Sequence, residues 1–378
     1  MTHSVRSLDS NFLILLISTF IGLIYGYVSV FPIEEVIVII LFIYFFVKII
    51  NNIGRTVWVF LDVISFILIL TCLLVPLFFY HQFTDNNLLA VLWVKFMPVP
   101  SNVYFGYTLP ASLALITGFN IGLINRVEFK YSITELISTG LLSRPARIGL
   151  QLILISLLAS AFHSVTSGSL GFISFLFIKL IFSGFLYLYF SGRKPNVKWM
   201  LFAGILLFLQ SLQQGMFGEL IFMVLLAIII FTYGKKFNLF IKVGALTIAI
   251  FAVAILQSVK QEYRQTIWSN TDTSTASNIA LFTTLASQKT QDAGSFFSEE
   301  KVFFTAVRFN QGWLVASVMK NVPSVVPYAE GETIWKSLLA SIAPRFLWPD
   351  KPQAGGKENI KRFLGWDLRG TSMNIGLL

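Results

Sequence analysis

Charge is scarce in this sequence. Only 12% of its 378 residues are Asp, Glu, Lys or Arg, about half the share found in soluble globular proteins. Cysteine is nearly missing, and the lone Cys72 excludes a disulfide framework and a cysteine-based metal site. Histidine occurs at three positions, His3, His81 and His163, and nowhere in residues 258–378. The alternating ten-residue segments of an outer-membrane barrel are also lacking. What is present is apolar: 56% of the chain is hydrophobic, with 38 Phe. The first 257 residues hold 15 cations and 8 acids. Such a stretch cannot hide its apolar surface in a soluble core of ordinary size. A soluble enzyme and a nucleic-acid binder are thereby excluded, despite the net charge of +10.

A membrane-crossing helix needs about 20 mostly apolar residues. Apolar stretches at 11–30, 36–50, 57–80, 103–124, 148–165, 170–190, 199–212, 216–233 and 237–256 predict about nine spans. The seventh and eighth form a tight hairpin or a re-entrant pair around the polar group Gln210, Gln213, Gln214, Gly215 and Glu219. Cations alternate along the loops. Lys48 and Arg55, then Arg126, Lys130, Arg144 and Arg147, then Arg193, Lys194 and Lys198, then Lys235 and Lys236, fall in every second loop. The intervening loops carry only Lys95. The positive-inside rule then places the N-terminus in the cytoplasm, behind a retained signal anchor, and residues 258–370 outside. The expected fold class is all-α: a polytopic helical bundle at 1–257 with a large, partly helical extracytoplasmic segment at 258–370. Val302–Met319 and Thr333–Ile342 read as amphipathic surface helices lying on the membrane or on the bundle. Residues 371–378 read as the start of a further span in a longer protein.

Four runs in the later segment carry a resemblance. "RFNQGWL" from Arg308, "PYAEGETIW", "IAPRFLWPDKP" and "TSMNIGLL" resemble the Wzy-type O-antigen polymerases, which join oligosaccharide repeat units. The run Pro344–Pro352 is the most specific of these, and the Lys260 and Arg264 pair is similar to that family as well. The resemblance covers the outer segment; the spans match by number and hydropathy. It implies a GT-C-like glycosyltransferase of the bacterial cytoplasmic membrane. The growing chain would pass from undecaprenyl diphosphate onto a new lipid-linked unit, without metal or other cofactor. Membrane lipid and a chain-length regulator are the implied partners. An O-antigen ligase is the enzymatic alternative, but its family uses a histidine in the large outer loop. A lipid-linked oligosaccharide or polysaccharide transporter is the non-enzymatic one, and no internal duplication favours it.

Loss of a lipid diphosphate concentrates negative charge on the leaving group, which fixed cations stabilise. Lys260 and Arg264 share a face if the last span continues as helix. Arg308, Arg345 and Lys351 are further candidates for the diphosphate, and Gly356 follows Arg345 by eleven positions. Lys260 and Arg264 serve equally as interfacial anchors, and Arg345 as half of a structural bridge to Asp350. The acceptor hydroxyl calls for a base, and Glu330, Glu332 and Asp350 are the candidates. Gly331 lets the chain turn tightly between the first two. Lys179, in mid-span, invites a buried partner such as Asp62 or Glu219. Trp313, Trp335, Trp348 and Trp366 are sugar platforms or, more readily, interfacial anchors.

Overall fold

A computed structural model describes residues 2–29, 32–54, 59–124, 145–163, 168–189, 191, 197–215, 217–232, 235–269, 274–291, 298–343, 348, 350 and 356–367. Among these residues the regular structure is helical throughout, with no strand. The helices are α1 (Thr2–Ser29), α2 (Ile33–Asn52), α3 (Phe60–Ile69), α4 (Val75–Gln82), α5 (Leu88–Leu92) and α6 (Ser101–Ile124). They continue as α7 (Pro145–His163), α8 (Gly168–Ile178), α9 (Leu180–Tyr189), α10 (Val197–Gln214), α11 (Gly218–Thr232), α12 (Leu239–Ser269) and α13 (Thr275–Gln291). The last are α14 (Glu299–Phe309), α15 (Gly312–Asn321), α16 (Glu332–Ile342) and α17 (Lys357–Leu364). Among the described residues three helical runs are long and apolar enough to cross a membrane: Phe60–Gln82, Pro145–Phe162 and Leu239–Lys260. Shorter apolar helices include Phe12–Tyr27, Ile173–Tyr189, Gly204–Gln213 and Leu220–Ile229.

The chain forms two compact units, each drawing helices from the apolar stretch and from the later segment. The first comprises Met1–Gly122, Tyr233–Val243 and Ala293–Leu378. In it α1 and α2 form an antiparallel hairpin held by two glycines one helical turn apart. A Cβ at Gly22 would strike Ile40, and one at Gly26 would strike Val36. Small residues at this spacing let two helices approach closely where no water drives them together. At one end of α2, the buried Glu35 meets His81 Nε2 at 2.8 Å. At the other, Lys242 Nζ donates to the carbonyls of Ile50 at 2.8 Å and Asn51 at 3.3 Å, satisfying helix-terminal acceptors. Between the ends, Lys48 pairs with the buried Asp62 at 2.7 Å. Asp62, one of the two partners conceivable for Lys179, is thus engaged by a neighbour on α2. The core joins Val38 and Phe45 of α2, Ile69, Leu73 and Leu77, Tyr104 and Phe105 of α6, and Ala316 of α15.

The second unit comprises Leu123–Thr232 and Gly244–Asp292. The expected hairpin is present: α10 and α11 meet at Gly215, which adopts φ +64°. Its tip is held by α12, where Tyr263 Oη donates to Leu212 O at 2.8 Å and Arg264 Nε to Gly215 O at 2.6 Å. The expected span at 170–190 is broken at Lys179 into α8 and α9. Ser156 Oγ donates to the carbonyl of Ile178 at 2.6 Å beside the break, and Lys179 Nζ lies 4.7 Å from the centre of the Phe175 ring. Gly149 and Gly184 make the close approach between α7 and α9. The basic loops at 125–144 and 192–196, the Glu219 and His163 side chains, and residues 371–378 lie outside the described residues.

Val302–Met319 differs from the expected single surface helix. It is two helices, α14 and α15, interrupted at Asn310 and Gln311, and both enter the first unit's core. Phe303 is fully buried against Phe79 and Phe83, and Ala316 is fully buried as well. Amphipathic periodicity marks an apolar face; it does not say whether protein or lipid covers it. On α16, by contrast, Ile334, Trp335, Leu338, Leu339 and Ile342 are exposed.

Candidate anion-binding cleft

The geometry of the site begins at Pro76. Proline has no N–H, so the carbonyl of Cys72, four residues earlier, receives no helical donor. Residues Leu70–Leu74 adopt a π turn in which the Val75 N–H reaches back to Leu70 O. The π partner of Thr71 O would be residue 76, so that carbonyl also lacks a donor. Two distant groups fill the places. Tyr104 Oη donates to Cys72 O at 2.6 Å, and the backbone N–H of Gln311 donates to Thr71 O at 3.1 Å. Gly312 completes the joint, because a Cβ there would collide with the Tyr104 hydroxyl and with Pro76. The break between α14 and α15 is thereby pinned to the break between α3 and α4.

A cavity of about 230 Å³ opens beside this joint. Lys95 and Arg308 supply its cations, Asn310 and Gln311 its amides, and Phe79 and Trp313 its aromatic walls. Asn310 is buried; its Oδ1 accepts the N–H of Trp313 at 2.9 Å, starting α15. Lys95 Nζ lies 3.3 Å from the centre of the Trp313 ring, and Trp366 stacks on the same indole at 5.3 Å and 22°. Two opposed effects act on Lys95. Burial pulls its pKa below that of an ordinary lysine, while the π face attracts the charged form. A bound anion would shift the balance towards the cation. Val94, next to it, holds φ +50°, a conformation a β-branched residue rarely adopts and one that strained functional loops retain.

The sequence candidates fall in different places. Arg308 lines the cleft, on an exposed position of α14. Glu332 is exposed and bonded by Lys336 and, at 2.9 Å, by Arg362. These donors hold its carboxyl down at about 2, so it is a poor proton acceptor. Glu330 is exposed with φ +49°, and Gly331 after it takes φ +82°. Asp350 is exposed, whereas Arg345 and Lys351 lie outside the described residues. Lys260 and Arg264 belong to the second unit, on an α12 that continues as helix to Ser269. There Arg264 engages Gly215 O, Glu262 pairs with Lys289 at 3.0 Å, and burial pushes the Tyr263 phenol up to about 12. Sequence reasoning missed Lys95 as a site residue; its only signal was being the one cation in its loop. Trp313 holds Lys95 and Trp366 and is no open sugar platform.

Among the described residues no group of His, Cys, Asp and Glu is placed to hold a metal ion. A family model described as Domain of unknown function (DUF8712) matches residues 105–361. The match takes in Arg308, Asn310, Gln311 and Trp313 and leaves Lys95 outside it. No curated protein and no solved structure matches the chain.

Proposed function

The chain belongs to the DUF8712 family, and on its own residues we propose that it is a multi-pass membrane glycosyltransferase polymerising undecaprenyl-diphosphate-linked oligosaccharide units. The cleft carrying Lys95 and Arg308 is the observation that carries this reading. Two cations at the end of an apolar helical unit suit a lipid diphosphate, whose head is anionic and whose tail stays in hydrocarbon. In the reaction an acceptor sugar hydroxyl attacks the anomeric carbon of the growing chain. The bond from that carbon to the diphosphate oxygen breaks, undecaprenyl diphosphate leaves, and the hydroxyl proton passes to a base. Lys95 and Arg308 stabilise the charge on the departing diphosphate. Glu332, held by Lys336 and Arg362, is a poor acceptor for that proton, which leaves Glu330 and Asp350 as the candidate bases.

The nine-span, GT-C-like topology belongs to the same proposal. Loops assigned to one side by their charge lie together within the first unit. Asn87 Nδ2 donates to Glu299 Oε1 at 2.8 Å, and Glu35 meets His81. The opposite set does the same where Lys242 caps α2. The bacterial cytoplasmic membrane, with the cleft on its outer side, follows from this reading. The broken pair α8 and α9 with Lys179 at the break favours a second reading, a transporter of the lipid-linked unit.

Deleting the gene and resolving surface polysaccharide on a gel separates the two. Polymerase loss leaves single repeat units in place of long chains. Loss of a transporter leaves no repeat unit at the surface, and unaltered long chains would overturn both. Complementation with Lys95→Gln or Arg308→Gln is expected to leave single units at normal protein level.

A further inference from the structure

A second, larger pocket of about 730 Å³ lies in the first unit at the C-terminal end of α2. The Glu35–His81 pair marks the opposite end of that helix, about 30 Å away along 20 residues. The floor and walls are apolar: Leu13 and Ile14 of α1, Ile50 of α2, and Phe237 and Leu239. The rim is basic, with Lys235 and Lys236 both exposed on it. The basic segment is held hard against the end of α2. Gly54, at φ +83°, leaves no room for a Cβ because the carbonyl of Lys235 sits against it. Lys242 ties the same segment to Ile50 O and Asn51 O. Among the described residues no acidic side chain lines the pocket.

We propose that this pocket binds one anionic phospholipid, its phosphodiester between Lys235 and Lys236 and an acyl chain along Leu13, Ile14 and Phe237. An apolar trough joined to a cationic rim matches an amphiphile. A free phosphate would use the rim alone and leave the trough wet. A neutral lipid would use the trough alone. The site is separate from the cleft, so the lipid acts as a structural or regulatory ligand of this unit and not as the glycosyl donor. The inference rests on the chain being membrane-embedded and not on the polymerase reading.

Each lysine near a lipid phosphate favours binding about fivefold, so the pair favours an anionic head about thirtyfold. The test is native mass spectrometry of the full chain in detergent, titrated with phosphatidylglycerol, phosphatidylcholine or glycerol 3-phosphate. Phosphatidylglycerol is expected to bind about thirtyfold more tightly than phosphatidylcholine. In Lys235→Gln/Lys236→Gln the preference should fall to within about threefold. Lys236→Gln alone, expected to lose about fivefold, keeps the test available if the double variant does not accumulate. Equal affinity for the two lipids, or an unchanged preference in the variants, overturns the proposal. So does displacement of phosphatidylglycerol by equimolar glycerol 3-phosphate, which would make the rim a simple anion site. Surface polysaccharide from the same variants tells this failure apart from that of the polymerase reading, since long chains depend on the cleft and not on this pocket.

Discussion

Tyr104 donates its hydroxyl hydrogen to the carbonyl of Cys72, 2.6 Å away, at the turn where Pro76 has removed the helical donor. Both groups are buried, so the bond replaces a partner that water cannot supply. Tyr104→Phe keeps the ring and strands the carbonyl. The expected cost is about 1–3 kcal/mol, the usual penalty for an unsatisfied buried acceptor. Thermal unfolding of purified protein in detergent measures it, and an unchanged midpoint would show the bond to be dispensable.

Gly312→Ala acts on the same joint from the other side. The added methyl meets the Tyr104 hydroxyl and Pro76, neither of which can swing away. The break between α14 and α15 must therefore lift, carrying Gln311 off Thr71 O. Faster hydrogen exchange at the Gln311 amide, together with loss of long polysaccharide chains, is the expected pair of outcomes.

Lys95 carries a chemical signature. Its lowered pKa leaves more neutral amine at pH 8–9 than an ordinary lysine has. It should react with an amine-directed reagent before exposed lysines such as Lys320 and Lys361, as read by peptide mass spectrometry. Adding a lipid diphosphate should protect it, both by cover and by restoring the cation. Protection absent at saturating lipid would count against the cleft as the diphosphate site.

Lys48 and Asp62 stand at 15% and 8% side-chain exposure, 2.7 Å apart. Asp62→Asn would leave a buried ammonium without its counter-charge, at an expected cost of about 3 kcal/mol. Lys48→Met/Asp62→Asn should recover most of that stability. Equal loss in the single and double variants would show that the charge pair is not what matters.

Glu332 predicts acid sensitivity of a local kind. Its carboxyl sits near 2 where an unperturbed one titrates near 4.5. The pairing with Lys336 and Arg362 is therefore fully present above pH 4.5 and lost as pH falls towards 2. Crosslinking between Cys residues introduced on exposed faces of α16 and α17 should weaken over that window. Glu332→Gln should show the weak level at every pH.

Much of the helical layout was legible because hydropathy and length act through single residues and their neighbours. Among the described residues each of the nine apolar stretches is mostly helical, and the hairpin turn at Gly215 falls among the polar residues that announced it. The cleft was not legible. Its two cations are separated by more than two hundred positions, and what brings them together is the pair of carbonyls freed by Pro76. A lone proline late in an apolar run reads locally as a kink; only the fold shows which donors answer it. The same limit explains Asp62, whose nearest cation in space sits on a preceding helix. Arg308 could be named from its motif, whereas Lys95 had only its isolation to mark it.

The first unit is assembled from three separated stretches of chain, ending with Ala293–Leu378. This sets an order on the ribosome. The second unit can close once residue 292 has emerged, but the Gln311 amide that completes the joint at Pro76 arrives later. Until then Cys72 O already has its Tyr104 donor, but Thr71 O waits for the Gln311 amide. A polypeptide released early, before residue 312, would have its apolar helices yet no cleft.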